Sequence, residues 1–353
     1  MIEITQGNLL TSDADALINT VNTQGVMGKG IALQFKKAYP NMFKVYVASC
    51  KRKEFIVGKV QVIPLNSITP PFYIINFPTK QEWSKPSRME YIEDGLVDLA
   101  DTVRSLGICS IAMPPLGCGN GGLEWSQVKM RIEKTFASLP DVKVLLYAPS
   151  GSPQAQNIIN HTERPKMTYG RAVVLKLLQQ YCVLGYELTL LEVHKLLYFL
   201  QEVGEPLRLR FKKQTYGPYA DNLRHVLHQF EGHFTIGFGD GKNNPNTTIQ
   251  LIPSAIEEAE QLLANSEHKD KLHADRLTAV KALIEGYESP YGMELLATVH
   301  WLSHYESCDI HEQDSIVMGI RKWSPRKEKL MKPEHIELAR KKLMAMNVIT
   351  SDG

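Results

Sequence analysis

Two glycine-rich segments are the parts of this sequence whose residue types and spacing best suit the binding of a ligand. Residues 25–30 read Gly-Val-Met-Gly-Lys-Gly, and residues 117–122 read Gly-Cys-Gly-Asn-Gly-Gly. Glycine lets the backbone approach a ligand closely, and a helix that follows such a turn presents unpaired N–H groups and a positive dipole end. Because each segment lies between a predicted strand and a predicted helix, the two together could hold a diphosphate from both sides.

The spacing of these glycines excludes the two commonest nucleotide-binding motifs. The first segment reverses the G-x-G-x-x-G order of dinucleotide-binding folds, and the second lacks the Lys-Ser/Thr ending of a P-loop. A glycine-rich turn between a strand and a helix is also an ordinary tight connection in α/β proteins. The binding of a phosphate would therefore require some other fold.

The composition is that of a globular chain with two domains. The 353 residues are 43% hydrophobic and 22% charged, which suffices for about two domains of roughly 150 residues, each with a core. No apolar run approaches the roughly 18 residues that span a bilayer, and the chain begins as a strand without a basic n-region or cleavage site. We therefore expect a cytoplasmic protein without membrane contact. The net charge of +2 means that any binding of nucleic acid must be local.

The cysteines and histidines indicate neither a disulfide framework nor a metal centre. The five cysteines are scattered and form no C-x-x-C pair, so we expect reduced and mostly buried thiols. Several histidines of the second half include pairs three or four residues apart, which can ligate a metal on one helix face. They are His194, His225, His228, His300 and His304. Because no carboxylate or cysteine completes a ligand set, we expect no metal there.

The first half of the chain alternates between strand and helix patterns, which is typical of a mixed α/β layered domain. Strands are predicted at residues 1–5, 16–20, 59–65, 72–77, 109–113 and 142–148. Helices are predicted near residues 31–38, 41–51, 88–106 and 123–139. The sequence therefore predicts an α/β domain over residues 1–150.

The second half has a different pattern, beginning after a polar segment rich in proline, glycine and serine at residues 149–166. We assign residues 151–166 as a linker and residues 167–353 as a mainly helical domain. Helices are predicted at residues 167–183, 189–202, 219–230, 254–264, 268–287, 292–305, 315–321 and 333–346. A small hairpin is predicted around residues 233–252, with a turn-rich loop at its centre.

Five short segments, in this order, resemble the macrodomain family. They are residues 7–10 (Gly-Asn-Leu-Leu), 16–22, 28–32, 115–122 and 147–149 (Tyr-Ala-Pro). The resemblance covers roughly residues 1–150 and implies a mixed sheet between helices that binds ADP-ribose. It also implies roles for individual residues: Asn8 and Leu9 on the adenine side, Thr20, Val21 and Asn22 at the distal ribose, Ile31 at the first helix start, Thr79 orienting the ribose, and Gly117, Cys118, Gly119, Asn120 and Gly121 around the diphosphate.

Residues 75–83, Ile-Asn-Phe-Pro-Thr-Lys-Gln-Glu-Trp, resemble one branch of the macrodomains in particular. This branch contains the terminal ADP-ribose glycohydrolases and the antitoxins of the DNA ADP-ribosyl glycohydrolase type. In it a lysine at the position of Lys80 is catalytic. A macrodomain followed by a helical second half in one chain is also similar to those antitoxins.

Elementary chemistry supports the same lysine. Lys80 follows the predicted strand and a turn at residues 78–79, and open α/β sheets place their ligands at the ends of strands. A primary amine can attack an anomeric carbon, or form a Schiff base with the aldehyde of a ring-opened sugar. To react near pH 7 its pKa must be lowered by burial or by a neighbouring cation, for which Lys85 and Arg88 are candidates. The alternative is a solvated surface lysine.

The second glycine loop departs from the pattern of the protein-directed glycohydrolases in this branch. Those enzymes hold a catalytic aspartate there, whereas residues 119–122 read Gly-Asn-Gly-Gly and the nearest acid is Glu124. Either the reaction proceeds without that acid, as the DNA-directed type implies, or Glu124 or a substrate group transfers the proton.

The second half resembles the Panacea-type antitoxin domain, through residues 188–201, Phe211 and residues 216–219. This resemblance implies binding of a cognate ADP-ribosyltransferase toxin, of the DarT type, through residues 167–353. The leucines of residues 188–201 also suit any buried helix, and Tyr216-Gly-Pro suits the entry to a helix. Residues 208–216 mix basic and aromatic residues, which could contact phosphate or a partner, although a solvated strand is the simpler interpretation. The basic segment 321–329 is most simply an exposed linker.

Together these resemblances imply a DNA-binding antitoxin enzyme that needs no metal or cofactor. It would hydrolyse ADP-ribose from ADP-ribosylated DNA bases, thymidine in single-stranded DNA being expected, with Lys80 as the nucleophile. It would also neutralise the toxin by direct binding. The alternative is a macrodomain that binds ADP-ribose without catalysis, in a protein that acts only by binding its partner.

Overall fold

The computed structural model describes residues 1–149, 151, 153–182, 185, 187–241, 244–265 and 270–346. Two compact units divide the chain. The first comprises Met1–Glu163 together with residues 239–241, and the second comprises Arg164–Phe238 and the described residues from 244 onward. The predicted helix end at residue 183, the helix start at residue 268 and residues 347–353 of the second domain lie outside the described residues.

The first unit is built on a six-stranded mixed sheet in the order β1-β6-β5-β2-β4-β3. All neighbouring strands are parallel except β3, which runs antiparallel to β4. The strands are β1 (Ile2–Thr5), β2 (Ala16–Asn22), β3 (Gln61–Pro64), β4 (Tyr73–Lys80), β5 (Ser110–Met113) and β6 (Lys143–Tyr147), and the helices are α1 (Gly30–Ala38), α2 (Pro40–Lys51), α3 (Met89–Ser105) and α4 (Trp125–Phe136). Short 3₁₀ helices span Leu9–Thr11 and Ala155–Asn157.

Helices cover both faces of this sheet, because alternate residues of its central strands enter different cores. Ile18 of β2 belongs to the core that contains Leu96 of α3 and Ile132 of α4. Leu17, one residue earlier, belongs to the core that contains Phe35 of α1. Side chains of a strand point alternately to its two faces, so a strand buried on both faces reads as a continuous apolar run. The predicted fold class is confirmed.

Strand β4 differs from the prediction at its carboxyl end. The sequence predicts a turn at residues 78–79, but the strand continues to Lys80. Pairing with β3 ends at Asn76, so Pro78 pairs only with β2, opposite Val21. A proline is tolerated there because no second neighbouring strand needs its missing N–H.

The second unit is mainly helical. Its helices are α5 (Tyr169–Cys182), α6 (Leu190–Glu202), α7 (Leu223–Phe230), α8 (Pro253–Ala264), α9 (Asp270–Ile284), α10 (Pro290–Tyr305), α11 (Gln313–Trp323), α12 (Pro325–Leu330) and α13 (Pro333–Ala345). Helix α6 begins with a capping box formed by Thr189 and Glu192. Helices α6 and α10 are buried along most of their length and meet where Tyr198 Oη lies 2.6 Å from His300 Nδ1. They form the centre of this unit.

Two hairpins accompany these helices. The predicted hairpin around residues 233–252 is confirmed as the antiparallel pair β9 (Thr235–Ile236) and β10 (Gln250–Leu251). The second hairpin joins β7 (Phe211–Gln214) to β8 (Gly217–Ala220).

Three predictions for the second unit are wrong in detail. The helix predicted from residue 219 begins at Leu223, because residues 217–220 pair with β7 instead. Likewise, residues 216–218 are part of a hairpin and not the entry to a helix. The exposed linker predicted at residues 321–329 is largely helical, and Lys327 within it is buried.

The described residues contain no helix that is long and apolar enough to cross a membrane. All five cysteines are free, as expected, but the expectation of mostly buried thiols is wrong. Only Cys50 is buried, Cys109 is exposed, and the other three are partly exposed.

Candidate functional site

Three neighbouring parallel strands bring the predicted site residues to one edge of the sheet. Strands β5, β2 and β4 are adjacent, and the carboxyl ends of parallel strands share one edge. The first glycine loop (residues 25–30) follows β2, the second glycine loop (residues 117–122) follows β5, and Lys80 ends β4. Residues separated by up to about one hundred positions in the sequence are therefore assembled by the topology.

The residues implied on the adenine side lie at the other end of the same edge. Asn8 and Leu9 follow β1, which is four strand positions from β4. At about 4.8 Å per strand this is a span of about 19 Å. Asn8 caps the first 3₁₀ helix by accepting a hydrogen bond from Leu10 N at 3.1 Å. The Leu9 side chain is buried in the core, so its backbone is the part available to a ligand.

An irregularity in the pairing of β2 with β4 sets the position of Lys80. The register shifts between Val21 and Asn22, so that Asn22 pairs with Lys80 and Thr79 is left as the extra residue. Thr79 is buried and its Oγ1 lies 3.5 Å from the carbonyl oxygen of Val21. A bulge of this kind re-aims the side chain that follows it.

Lys80 lies between the end of its strand and the second glycine loop. Its Nζ donates a hydrogen bond to the carbonyl oxygen of Asn120 at 2.7 Å. Burial lowers the pKa of Lys80 below the ordinary lysine value. The expectation that Lys85 or Arg88 lowers this pKa is not supported. Lys85 is paired with Glu82 at 2.7 Å, and the Arg88 guanidinium lies over the ring of Tyr91.

The second glycine loop is compact and leaves several N–H groups open. Ser87 N donates to the carbonyl oxygen of Gly121 at 3.0 Å. A Cβ at residue 121 would lie 2.2 Å from the carbonyl oxygen of Gly117, so only glycine fits there. In the described part of the chain, the N–H groups of residues 119–121 have no acceptor. Successive free N–H groups in a turn form a concave site for anions.

The first glycine loop is held by the side chain of Asn22. Its Oδ1 accepts hydrogen bonds from Gln24 N at 2.9 Å and Val26 N at 3.3 Å, and its Nδ2 donates to the Val26 carbonyl at 2.6 Å. Tyr46 Oη donates to the Asn22 carbonyl at 2.6 Å. The amide implied to contact the distal ribose is thus used to shape the loop.

The two glycine loops meet at the start of α1. A Cβ at Gly30 would lie 3.3 Å from Asn120 Nδ2. The N–H of Gly30, the first residue of α1, donates within the first unit to the carbonyl oxygen of Asp240 at 3.1 Å and is therefore not open to a ligand. Helix α1 has no side-chain cap, so the N–H groups of Ile31 and the next residue remain available at its N-terminus.

Cys118 and Glu124 lie near each other at the second loop. Burial, and to a lesser extent the charge of Glu124, raise the pKa of Cys118 to about 11. This thiol therefore stays protonated and does not act as a nucleophile. Among the described residues no carboxylate forms an ion pair with Lys80, and no cluster of three or more His, Cys, Asp or Glu side chains could hold a metal.

Comparison with known proteins identifies the family. A model of the Macro domain matches residues 18–132. A DNA ADP-ribosyl glycohydrolase of Thermus aquaticus is 44% identical over 339 residues, which cover 96% of this chain and 92% of that protein. The chain belongs to the DNA ADP-ribosyl glycohydrolase family. The first unit is its macrodomain.

Two further relatives cover only part of the chain. A DNA ADP-ribosyl transferase–DNA ADP-ribosyl glycohydrolase fusion protein of Thermosipho africanus is 33% identical over 163 residues, or 42% of each chain. Among solved structures, the macrodomain of Mycobacterium tuberculosis DarG is 52% identical, covers 42% of this chain and 99% of that chain, and has a TM-score of 0.42.

The structure adds a rim to the macrodomain site of this family member that the sequence did not single out. Residues 81–87 contact the residues just before the first glycine loop and the second loop itself. Thr23 Oγ1 donates to the Gln81 carbonyl at 2.9 Å, Trp83 N donates to Gln24 Oε1 at 3.1 Å, and Ser87 N donates to the second loop. The Trp83 residue is 56% exposed. Its position three residues after Lys80 is the signal that could have identified it.

The motif of the second unit forms one structural group in this glycohydrolase family member. Residues 188–201 include nearly all of α6. Phe211 and residues 216–219 lie in the β7–β8 hairpin, which packs against α6. Two of the histidines considered as metal ligands, His194 and His300, are part of the packing. His194 stacks on Tyr219 with ring centroids 4.4 Å apart, and His300 contacts Tyr198.

Proposed function

We propose that this protein removes ADP-ribose from ADP-ribosylated DNA bases, with Lys80 as the nucleophile. The observation that carries the proposal is the position of Lys80, at the end of β4 and hydrogen-bonded to the diphosphate loop. The relative from Thermus aquaticus, which aligns with nearly the whole chain, bears the name of this activity. In this scheme, the open N–H groups of residues 119–121 and the start of α1 bind the diphosphate. The carboxyl ends of β2 and β4, at residues 20–22 and Thr79, form the part of the site that holds the distal ribose.

The reaction balances with one nucleophile and one water molecule. Neutral Lys80 Nζ attacks the anomeric carbon of the distal ribose, and the bond from that carbon to the base nitrogen breaks. The electron pair leaves with the base, which gains a proton as the lysine nitrogen loses one. Water then replaces the lysine nitrogen at the anomeric carbon and restores the amine. Burial favours this chemistry because it raises the neutral fraction of the amine.

A Lys80→Ala variant tests the assignment. The substrate is a single-stranded oligonucleotide that carries ADP-ribose on thymidine, and the product is free ADP-ribose. We expect release to fall by about 10³-fold or more in the variant, while ADP-ribose binding measured by calorimetry changes little. Release at the wild-type rate would disprove the role of Lys80. A wild-type protein that binds ADP-ribose and releases none would instead support the alternative of a silent binding module.

The partner of Lys80 in proton transfer is addressed by Glu124→Gln. If Glu124 donates the proton, release of ADP-ribose falls in the variant. If the base itself or another substrate group takes the proton from Lys80, the variant keeps the wild-type rate. Glu124 is exposed at the N-cap of α4, so its replacement leaves the core unchanged.

We propose that the exposed rim recognises the DNA part of the substrate. Trp83 offers an aromatic face beside Lys80, and the Lys85 side chain on the same segment is 66% exposed. Stacking of bases on aromatic side chains, with cations near the phosphates, is how proteins hold single strands without reading sequence. The expected partner is therefore ADP-ribosylated single-stranded DNA.

We further propose that the helical part, residues 167–353, binds a DarT-like ADP-ribosyltransferase toxin. The fusion of a DNA ADP-ribosyl transferase with a DNA ADP-ribosyl glycohydrolase in the Thermosipho africanus relative supports a functional pairing of the two activities. Full-length protein with Lys80→Ala is the reagent of choice, because it separates binding from catalysis. We expect it to co-purify with the toxin as the wild type does. Failure of both proteins to retain the toxin would leave only the enzymatic role.

A further inference from the structure

The second unit contains a cavity of about 300 Å³ beside α6 and the β7–β8 hairpin. Its lining comes from the first turns of α6, from residues 214–221 and from Pro245. The volume is at the lower end of the range of small-molecule sites. The catalytic scheme proposed for the macrodomain makes no use of this cavity.

A buried lysine lines the cavity. Lys195 is 2% exposed, and its Nζ donates a hydrogen bond to the carbonyl oxygen of Pro218 at 2.6 Å. An ammonium group has three N–H donors. Within the described residues the Pro218 carbonyl is the acceptor found for Lys195, and no carboxylate pairs with it. Burial, with a smaller contribution from the charge of Lys327, lowers the pKa of Lys195 to about 7.

The groups around Lys195 carry an excess of positive charge. Glu294 accepts hydrogen bonds from Arg326 at 2.6 and 3.1 Å and from Lys327 Nζ at 2.6 Å, so both of its oxygens are occupied. Asp221, which also lines the cavity, is paired with Lys212. Arg326 is 40% exposed and is solvated, whereas Lys195 and Lys327 are both buried, and in the described part of the chain Glu294 is their nearby buried carboxylate. Buried charges in proteins are normally paired, so the two buried ammonium groups together lack one negative charge.

The remaining walls of the cavity are mostly aromatic and apolar, with Gln214 and Thr215 as the uncharged polar side chains of the lining. His194 is 4% exposed and stacks on Tyr219, and its Nδ1 has no hydrogen-bond partner among the described residues. Burial lowers the pKa of His194 to about 3, so its ring is neutral. Tyr216 is 38% exposed and lies under the Arg326 guanidinium at 4.6 Å. A ligand here meets one ammonium group, the polar side chains of Gln214 and Thr215, the Asp221 carboxylate that is paired with Lys212, and otherwise aromatic and apolar surfaces.

We propose that this cavity binds an organic anion with one carboxylate on an apolar stem. The carboxylate lies next to Lys195 and supplies the missing negative charge, and the stem lies against Leu190, Leu191 and Tyr216. A dianionic phosphate suits the site less well, because a single ammonium group, two uncharged polar side chains and a carboxylate do not balance its two charges. The carboxylate belongs either to a free acid or to an acidic side chain of a bound protein.

Benzoate and its neutral analogue benzamide test the charge requirement in the full-length protein. Binding is measured by calorimetry and by ligand-observed NMR. We expect benzoate to bind at least about tenfold more tightly than benzamide, and Lys195→Met to weaken benzoate binding at least tenfold. Lys176→Met is the matched control, because Lys176 pairs with Glu260 away from the cavity. Replacing an unpaired buried cation with Met is expected to maintain the melting temperature.

Tyr216→Ala provides a second variant if Lys195→Met does not fold, since Tyr216 is partly exposed. The toxin is then tested against both variants. Loss of benzoate binding with unchanged toxin binding identifies a free acid as the occupant. Loss of toxin binding by at least tenfold, without benzoate binding to the wild type, identifies an acidic side chain. That second case rests on the proposed function.

Two results would overturn the proposal. One is that benzoate and benzamide bind the wild type equally well, or that benzoate binds the wild type and Lys195→Met equally well. The other is a wild type that does not bind benzoate, together with toxin binding that neither variant changes. A wild type that fails to bind the toxin would refute the proposed partner, and the benzoate experiments would still decide the cavity.

Discussion

The replacement of Gly121 by alanine tests whether the second glycine loop holds the diphosphate. A Cβ there would lie 2.2 Å from the Gly117 carbonyl oxygen and 2.3 Å from Ser87 Oγ, whereas real Cβ atoms stay at least 3.0 Å from such neighbours. The loop must therefore move by about 0.8 Å. The N–H···O distances of good hydrogen bonds span only about 0.5 Å. Such a movement breaks the bonds that the N–H groups of residues 119–121 make to a bound phosphate.

The size of the effect follows from the number of those bonds. A hydrogen bond to a charged group contributes about 1.5–3 kcal/mol, so the loss of two of them costs about 3–6 kcal/mol. Since each 1.4 kcal/mol is tenfold in affinity, we expect Gly121→Ala to weaken ADP-ribose binding by about 10²-fold or more. The overpacked loop also lowers the free energy of unfolding by about 1–3 kcal/mol.

Gly119 in the same loop provides the matched control. A Cβ at residue 119 would have no neighbour within 4 Å, and its backbone conformation suits any residue. Gly119→Ala should therefore bind ADP-ribose within about threefold of the wild type, a difference of less than 1 kcal/mol. Calorimetric titration with ADP-ribose measures both variants, and thermal denaturation shows that they are folded. Near-wild-type binding by Gly121→Ala, or an equal loss in Gly119→Ala, would refute the argument.

Three further predictions concern other parts of the chain. The rate of ADP-ribose release should rise with pH as Lys80 loses its proton, with a midpoint below the ordinary lysine pKa of about 10.4 because burial lowers it; a midpoint at or above that value would contradict the proposed environment. Trp83→Ala should reduce the release of ADP-ribose from a modified oligonucleotide by about tenfold, because one stacking contact contributes about 1–3 kcal/mol. The release of ADP-ribose from a modified nucleoside should stay unchanged. An equal loss on both substrates would contradict a role of Trp83 in DNA binding. Glu294→Gln should lower the free energy of unfolding by about 3–5 kcal/mol in denaturant titrations, because it leaves buried cations unpaired. The control Glu93→Gln breaks the exposed pair with Arg131 and should lower the free energy of unfolding by less than about 1 kcal/mol. Similar losses in the two variants would contradict the importance of burial.

Much of the macrodomain site could be predicted because its parts belong to local patterns. The glycine loops follow recognisable strands, and the rule that parallel strands end at one edge then brings the loops together with Lys80. The bulge at Thr79 could not be predicted, because it depends on the register between β2 and β4. The role of Asn22, at the end of β2, in shaping the first loop likewise depends on a contact with Tyr46 of helix α2.

The second unit was less predictable because its main features join distant residues. Residues 217–220 contain Gly-Pro, which suits a turn or a helix start, and pairing with β7 decides between them. Lys327 lies in a segment of charged residues that is typical of a solvated surface. It is buried because Glu294, 33 positions earlier, accepts its hydrogen bond. No local pattern could indicate that ion pair or the cavity beside Lys195.

In the proposed mechanism, Asn120 links the binding of the diphosphate to the position of the Lys80 amine. Its carbonyl oxygen accepts the hydrogen bond from Lys80 Nζ, and its N–H is one of the open donors of the second loop. Both groups belong to the backbone, so the link does not require a particular side chain at this position. Hydrogen bonds in a chain polarise one another. A loop displaced by the wrong ligand would therefore also displace the acceptor that positions Lys80. Under the proposed mechanism, this coupling lets one loop serve both in binding ADP-ribose and in aligning the attack on its distal ribose.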